Sequence, residues 1–265
     1  MKILLNGEPA ALDDLGHLVA TNYGHFTVLR VEDGGVRGLD LHLDRLQCAT
    51  RELFGTELDR GRVRSYLRKA VSGEAQELSV RINVFSRELD RRHLDRPVAV
   101  DVLVTTARAA RGAIAPLRVK SFRYSRDLAA VKHVGTFALF HHRRLAQQAG
   151  FDDALFVDEQ GRVSEGSIWN IGFVDRSGSI VWPEASQLDG VSMQLLKAGL
   201  RQAGVACAER PIHMAELTGF RAAFFTNSNM PVCAIAGIDG YSFAPDDRLF
   251  ADLLRHYQSN SPQAI

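Results

Sequence analysis

Lysine is scarce in this chain. Of 32 cationic side chains among 265 residues, five are lysine (Lys2, Lys69, Lys120, Lys132 and Lys197), so a chemistry that needs an amine nucleophile has few places to reside. Cysteine is scarcer: Cys48, Cys207 and Cys233 are far apart, odd in number and without a C-x-x-C pair. That excludes a disulfide framework or a cysteine zinc site and fits a reducing compartment. No apolar run approaches the roughly 18 to 20 residues that span a bilayer. The opening MKILLNGEPAALDD turns polar early and lacks the apolar core of a signal peptide, so a cytoplasmic location is expected. Net charge is only +1, which points to neither nucleic acid nor a membrane surface as partner. Motif absences narrow the chemistry further. There is no P-loop, no strand–glycine–helix unit with G-x-G-x-x-G spacing, no H-E-x-x-H and no G-x-S-x-G. His141 and His142 are adjacent, so on a helix they point about 100° apart and do not chelate one ion; they read as surface residues, and no metal site is expected.

The length and the 46% apolar content allow a substantial core in two domains. Residues 2–5 read as a strand, His25 to Glu32 around FTVLRV as another, and Asp33-Gly34-Gly35 as a hairpin turn. Leu39, Leu43, Leu46, Ala49 and Leu53 recur at helical spacing and Gly55 stops that helix. A second helix is predicted over 62–71, and strands over 78–85 and 98–105, the latter central because it is nearly all apolar. The segment TARAARGAIAP (106–116) loses periodicity and is the expected linker, giving domains at 1–112 and 117–265 with 113–116 between them. Beyond it come strands at 117–122, 154–157 and 171–174, a helix over 137–149, and another over 191–204 after Asp189-Gly190. A strand near Cys207, a helical turn at 213–217, strands at 222–226 and 232–236 and a helix at 246–256 close the chain. Strands follow strands too often for a doubly wound parallel sheet, so the class is α+β.

The remaining constellation suits a phosphate-bearing aldehyde cofactor. Pyridoxal 5'-phosphate needs an amine, a carboxylate that keeps its ring nitrogen protonated, and a cup for a phosphate dianion. Lys132 and Glu165 supply the first two types. The turn Asp189-Gly190-Val191-Ser192 opens a helix and offers backbone N–H groups, Arg45 offers a forked cation, and Thr226-Asn227-Ser228 end an apolar strand with further donors.

In order along the chain, HLDRL (42–46), Lys132, SEGSIWN (164–170), LDGVS (188–192) and TNSNMPV (226–232) resemble the class IV aminotransferases, the fold-type IV pyridoxal phosphate enzymes. The resemblance covers nearly the whole chain, and E-G-S-x-x-N is its sharpest motif. It implies a two-domain, D-amino acid aminotransferase-like α+β fold with the active site between the domains, and a homodimer. It also implies that Lys132 forms the internal aldimine and moves the proton, and that Glu165 pairs with the pyridinium nitrogen. Arg45, Val191, Ser192 and Ser228 are implied around the phosphate, with Thr226 or Asn227 as alternatives to Ser228. Asn170 is implied to stabilise the turn carrying Glu165. Thr27, Arg81 and Phe137 are the candidate substrate residues, Thr27 and Arg81 expected to face the pocket and Arg81 to meet a substrate carboxylate.

The reaction stays open between a few chemistries. The family's usual G-D-G-x-F-E-T is here NYGHFTV (22–28), without the Asp and with Thr27 in place of Glu. Phe137 stands where branched-chain aminotransferases carry tyrosine. Phe26-Thr27, Lys132-His133 and the Asn227 to Val232 run resemble the 4-amino-4-deoxychorismate lyases, which eliminate pyruvate to give p-aminobenzoate. Yet SVRINVFSRELDRRHL (79–94) departs from the S-R-G-x-x-x-R-G-Y type of strand. Transamination between small amino and keto substrates is the first expectation, the lyase the alternative, and a non-catalytic cofactor-binding protein the remote one.

Overall fold

The computed structural model describes residues 1–74, 77–109, 115–244 and 246–265. The chain folds as two compact units. One takes in the described residues of Met1–Arg111 together with Val131–Gly135 and Pro262–Ile265; the other takes in those of Gly112–Ala130 and Thr136–Ser261. The lysine segment and the C-terminal tail thus return to the first unit, where the sequence reading assigns both to the second domain. The linker expected at 113–116 lies partly outside the described residues. The preceding residues 106–108 are strand rather than linker.

The first unit is one antiparallel sheet of β1 (Ile3–Leu5), β2 (Glu8–Pro9), β3 (His25–Glu32), β4 (Gly35–Arg37), β5 (Glu77–Phe85), β6 (Asp101–Arg108) and the C-terminal strand Pro262–Ala264. Their order is C-terminal strand–β4–β3–β5–β6–β1–β2. Asp33 and Gly34, at φ 48° and 77°, make the two-residue turn that joins β3 to β4, the left-handed pair that a tight hairpin demands. Alternation along β3 puts Thr27, Leu29 and Val31 on one face. Val80 and Ile82 of β5 join them, and Leu29, Val31, Val80 and Ile82 pack under helix α2 (Leu39–Phe54) and helix α3 (Arg60–Val71). Helix α3 begins two residues earlier than periodicity predicts because the Asp59 carboxylate accepts from Arg62 N at 3.0 Å. Strand β6 begins three residues later than predicted, since its ladder with β5 ends at Phe85↔Asp101.

The described residues of the second unit hold nine strands: β7 (Leu117–Arg123), β8 (Asp153–Val157), β9 (Val163–Gly166), β10 (Asn170–Asp175), β11 (Ile180–Pro183), β12 (Cys207–Arg210), β13 (Phe220–Thr226), β14 (Cys233–Ile238) and β15 (Tyr241–Ser242). The order β10–β13–β14–β7–β8–β9 closes on itself, because Glu165 of β9 pairs with Asn170 of β10. Val119, Leu155, Val163, Ile171, Phe173 and Phe225 belong to one buried apolar cluster of this ring. Helix α4 (Phe137–Gln148) lies on β8 through Leu139 and Ala146. Helix α5 (Val191–Gln202) meets helix α6 (Asp247–Gln258) at Gly199, where a Cβ would stand 1.8 Å from His256 O. Strands β9 and β11 escape the sequence reading: at four residues each they are too short for alternation to register. His142 is partly buried among Phe122, Tyr124 and Phe156, a correction to its expected surface place, while His141 is exposed.

Candidate active site

In the first unit, β5 covers one edge of β3 along its whole length, while β4 reaches the other edge only at Glu32. The segment Val131–Gly135 takes the opposite end of that edge, at Gly24–Phe26. His133 bridges to His25, Phe26 N donates to Lys132 O at 2.9 Å, and Val134 N donates to Gly24 O at 2.9 Å. Backbone bonds thus fix Lys132, and its half-buried side chain brings Nζ to 5.0 Å from the centre of the Phe26 ring. The Arg81 guanidinium lies 3.5 Å from the same ring centre, and its Nε donates to Asn83 Oδ1 at 2.9 Å. Gly24 is required by close approach, since a Cβ there would sit 2.6 Å from Val84 O.

Beneath this group is a buried polar network. Arg45 Nη2 donates to Thr27 Oγ1 at 2.5 Å, and the Thr27 hydroxyl lies 2.7 Å from His42 Nδ1. Arg45 Nη2, which can only donate, also lies 3.5 Å from His42 Nδ1, so Nδ1 is the accepting nitrogen, the Thr27 hydroxyl donates to it, and His42 carries its proton on Nε2. Burial chiefly, then the nearby Arg45 and Lys132 charges, holds the His42 pKa well below the usual histidine range. Thr50 repeats the logic with His25: its hydroxyl donates to Leu46 O at 2.8 Å and accepts from His25 Nε2 at 3.0 Å. Burial and then Arg45 lower the His25 pKa to about 3.

Both histidines therefore fold neutral, and the sign of their effect follows. Below about pH 6.5 the unfolded chain takes up protons that the folded chain refuses, so stability is complete above that pH and falls on acidification. For His25 the loss runs down to about pH 3, at about 1.4 kcal/mol per pH unit. Urea unfolding at pH 7 and pH 5 is expected to show a marked loss, and His25→Gln, which keeps a donor toward Thr50, is expected to reduce the slope. A slope that His25→Gln leaves unchanged refutes the assignment.

In the second unit the register aligns three buried polar residues. Asn170 pairs with Glu165 on one side and with Thr226 on the other, and directly opposed residues of antiparallel strands share a face. Glu165, 4% exposed, takes Arg126 Nη1 at 3.4 Å on Oε1 and Leu188 N at 3.4 Å on Oε2. Asn170 donates to Leu188 O at 2.8 Å and so ties the strand to the loop leading into α5. Gly190 caps α5 with no side-chain bond, and a Cβ there would meet Asn170 Oδ1 at 2.1 Å. The first N–H groups of α5 therefore lie beside Asn170 without a side-chain cap. Val191 and Ser192 begin that helix and are buried. Thr226 Oγ1 is buried with no hydrogen-bond partner among the described residues.

Several expectations change in detail. Glu165 stands in strand β9 rather than on a turn. Thr27 and Arg81 occupy opposite faces of the first sheet, since Arg81 pairs with Val28; Thr27 serves Arg45 and does not share a pocket face with Arg81. Asn227 Oδ1 accepts from Asn229 N at 3.0 Å and from Met230 N at 2.9 Å, so its side chain holds the turn in which half-buried Ser228 sits. Phe137, a candidate substrate residue, is 80% exposed and stacks on His141. His42, Arg126 and Asp153 escape the sequence reading as site residues. The H-x-x-R spacing could have signalled His42, whereas the other two carry no pattern. Among the described residues no group of three or more His, Cys, Asp or Glu could hold a metal.

The family described as "Amino-transferase class IV" matches residues 24–238. A probable branched-chain-amino-acid aminotransferase of Synechocystis is 27% identical over 103 residues, 38% of this chain and 33% of that protein, so the chain spans about a third of its length there. A putative branched-chain-amino-acid aminotransferase of Methanocaldococcus jannaschii is 24% identical across 91% of this chain and 88% of its own. The crystal structure of a putative 4-amino-4-deoxychorismate lyase from Legionella pneumophila shares the fold, with a TM-score of 0.81 at 19% identity over 92% of this chain and 93% of that one.

Proposed function

Since this chain belongs to the class IV aminotransferase family, a family of pyridoxal phosphate enzymes, we propose that it moves an amino group between an amino acid or amine and a 2-oxo acid, with Lys132 as its nucleophile. The observation that carries the reading is the placement of Lys132. Backbone bonds pin its segment to the edge of β3, beside Phe26, with its charge felt at His42. When bound, pyridoxal phosphate supplies an aldehyde for the lysine amine and a ring that accepts the electron pair released at Cα. The residues present fit that group. Among the described residues the buried Thr226 hydroxyl has no hydrogen-bond partner, and the N-terminus of α5, whose cap Gly190 makes no side-chain bond, suits a phosphate. Arg45, held by Thr27, adds a fixed cation. Glu165 keeps the ring nitrogen protonated, and Asn170 holds the loop before α5. Val191, Ser192 and Ser228 complete the phosphate surroundings, with Thr226 preferred over Asn227 because its buried hydroxyl has no hydrogen-bond partner among the described residues, whereas the Asn227 side chain is anchored to its own turn through Oδ1.

Arg81 is the proposed substrate-carboxylate contact. Burial lowers its pKa somewhat, yet Asn83 is its only hydrogen-bond partner among the described residues, so its terminal N–H groups are available to a carboxylate. Arg81→Met is expected to raise KM for the carboxylate-bearing substrate by roughly 30-fold, about 2 kcal/mol, while kcat moves little. An unchanged KM refutes the contact. A homodimer is proposed in keeping with the family, the exposed Phe137 and Phe140 of α4 giving a surface for it; light scattering at twice the chain mass tests this. A reducing, cytoplasmic location is proposed from three free cysteines.

The half-reaction tests the function. L- and D-amino acids, amines and aminodeoxychorismate are added singly to the loaded enzyme. A transaminase releases the keto acid and leaves the cofactor as its amine. The lyase reading, favoured by Phe26-Thr27, Lys132-His133 and the Asn227 to Val232 run, predicts pyruvate and p-aminobenzoate with no keto acid required. Neither conversion would leave only a cofactor-binding protein.

A further inference from the structure

We propose that Asp153 is the positioning residue for Glu165. Its buried carboxylate clasps the short turn between Glu165 and Asn170 and so sets where the Glu165 carboxylate stands. The inference rests on the reading that Glu165 serves the cofactor's ring nitrogen.

Asp153 opens β8, is 1% exposed, and lies beside β7 through the pair Val119↔Asp153. Its Oδ1 accepts from the Ser167 hydroxyl at 2.6 Å and from Ala154 N at 2.7 Å. Its Oδ2 accepts from Trp169 Nε1 at 2.9 Å and pairs with Arg143 Nη2 of α4 at 3.4 Å. Four donors fill a carboxylate's capacity, which is what makes a buried charge tolerable. Two of the four come from one turn, two residues apart.

That turn is closed on every side. Gly166 N donates to Trp169 O at 2.8 Å and Ser167 N to Ala154 O at 3.2 Å. The Trp169 indole lies against Gly166 so tightly that a Cβ there would meet the ring at 2.1 Å. Glu165 and Asn170, which pair with each other, are the two ends of this loop. The loop cannot slide without breaking bonds to Asp153, and any slide moves Glu165 first. A carboxylate that faces a ring nitrogen needs placement to a fraction of an ångström, because a charge-assisted hydrogen bond falls off steeply with distance and angle. An apolar side chain would fill the same space beside β7 but would leave Ser167 and Trp169 with nothing to hold.

Asp153→Asn tests the idea because it keeps the size while turning an N–H toward the Trp169 and Arg143 donors. The primary readout is the pH midpoint of the near-visible absorption band of the loaded enzyme. A protonated ring nitrogen repels a second proton on the lysine-bound nitrogen, so a displaced Glu165 raises that midpoint. Asp153→Asn is expected to raise it by about one pH unit and to lower kcat by about tenfold with KM little changed. Trp169→Phe, which removes a single donor, is expected to give a smaller shift in the same direction. In a Glu165→Gln background, Asp153→Asn is expected to shift the midpoint no further. A shift that persists in that background overturns the inference, as does a variant that lowers only the melting temperature of the cofactor-free protein. If Glu165→Gln itself leaves the wild-type midpoint in place, the ring-nitrogen reading fails, and the inference with it.

Discussion

Lys132→Ala is expected to abolish covalent attachment of the cofactor and to slow the half-reaction by about 10⁴-fold or more, because on the proposed reading one side chain serves as both nucleophile and proton carrier. The fold is expected to survive: the bond from Phe26 N uses the backbone carbonyl of Lys132, which alanine retains. Little competition comes from the other lysines. Lys2 faces Ser72 and Glu74, Lys69 pairs with Glu8, Lys197 with Glu209, and Lys120 lies near the Phe151 ring. Borohydride treatment of the loaded wild-type enzyme followed by peptide mapping checks the assignment. Reduction is expected to fix the cofactor at Lys132 and at no other lysine. A Lys132→Ala protein that still retains reduced cofactor after denaturation refutes it.

Glu165→Gln is the second large effect, and it has two components. A neutral amide cannot hold the ring nitrogen protonated, so the half-reaction is expected to slow by roughly 10²- to 10³-fold, the scale of losing one preorganised electrostatic contact. The substitution also removes the carboxylate from a buried ion pair, since the side chains of Arg126 and Glu165 are both 6% exposed. Breaking such a pair from one side costs about 3 kcal/mol, because the other charge stays buried. Urea unfolding of the cofactor-free protein separates the two, as only the second survives without cofactor. The variant Arg126→Met/Glu165→Gln is expected to regain most of the lost stability and none of the rate. A single variant with wild-type stability and rate would remove Glu165 from the site.

Much of the candidate site was legible because its residues sit at the ends of strongly marked elements. Leu39 to Leu53 carry a helical period that Gly55 closes, so His42 and Arg45 fall three apart on one helix face. Asp189-Gly190 precede an amphipathic run, so Val191 and Ser192 had to open α5. Thr226 ends a strand of apolar residues. What the pattern could not convey was the phase between strands. Thr27 and Arg81 looked alike as polar residues in apolar strands, yet the β3–β5 register turns one toward α2 and the other to the opposite face. Glu165 escaped placement in a strand because β9 has four residues, too few to alternate. Asp153 reads in sequence as one of an Asp-Asp pair before a strand, and nothing there distinguishes the exposed Asp152 from the buried Asp153.

The distinction returns to the scarce lysine. Sequence by itself determined the chemical types on hand: five amines, a carboxylate in E-G-S-x-x-N, glycine before a helix, an arginine three residues after a histidine. Those are properties of single residues and short spacings, and local rules suffice to read them. Only the tertiary structure decided that the lysine segment belongs with β3, that Asn170 stands between Glu165 and Thr226, and that one buried aspartate holds the turn at Ser167 and Trp169. The physical reason is common to all three. Backbone edges and strand registers are joined by N–H and C=O groups that every residue carries, so pairings between distant segments leave little trace in side-chain sequence and appear only when the sheet closes.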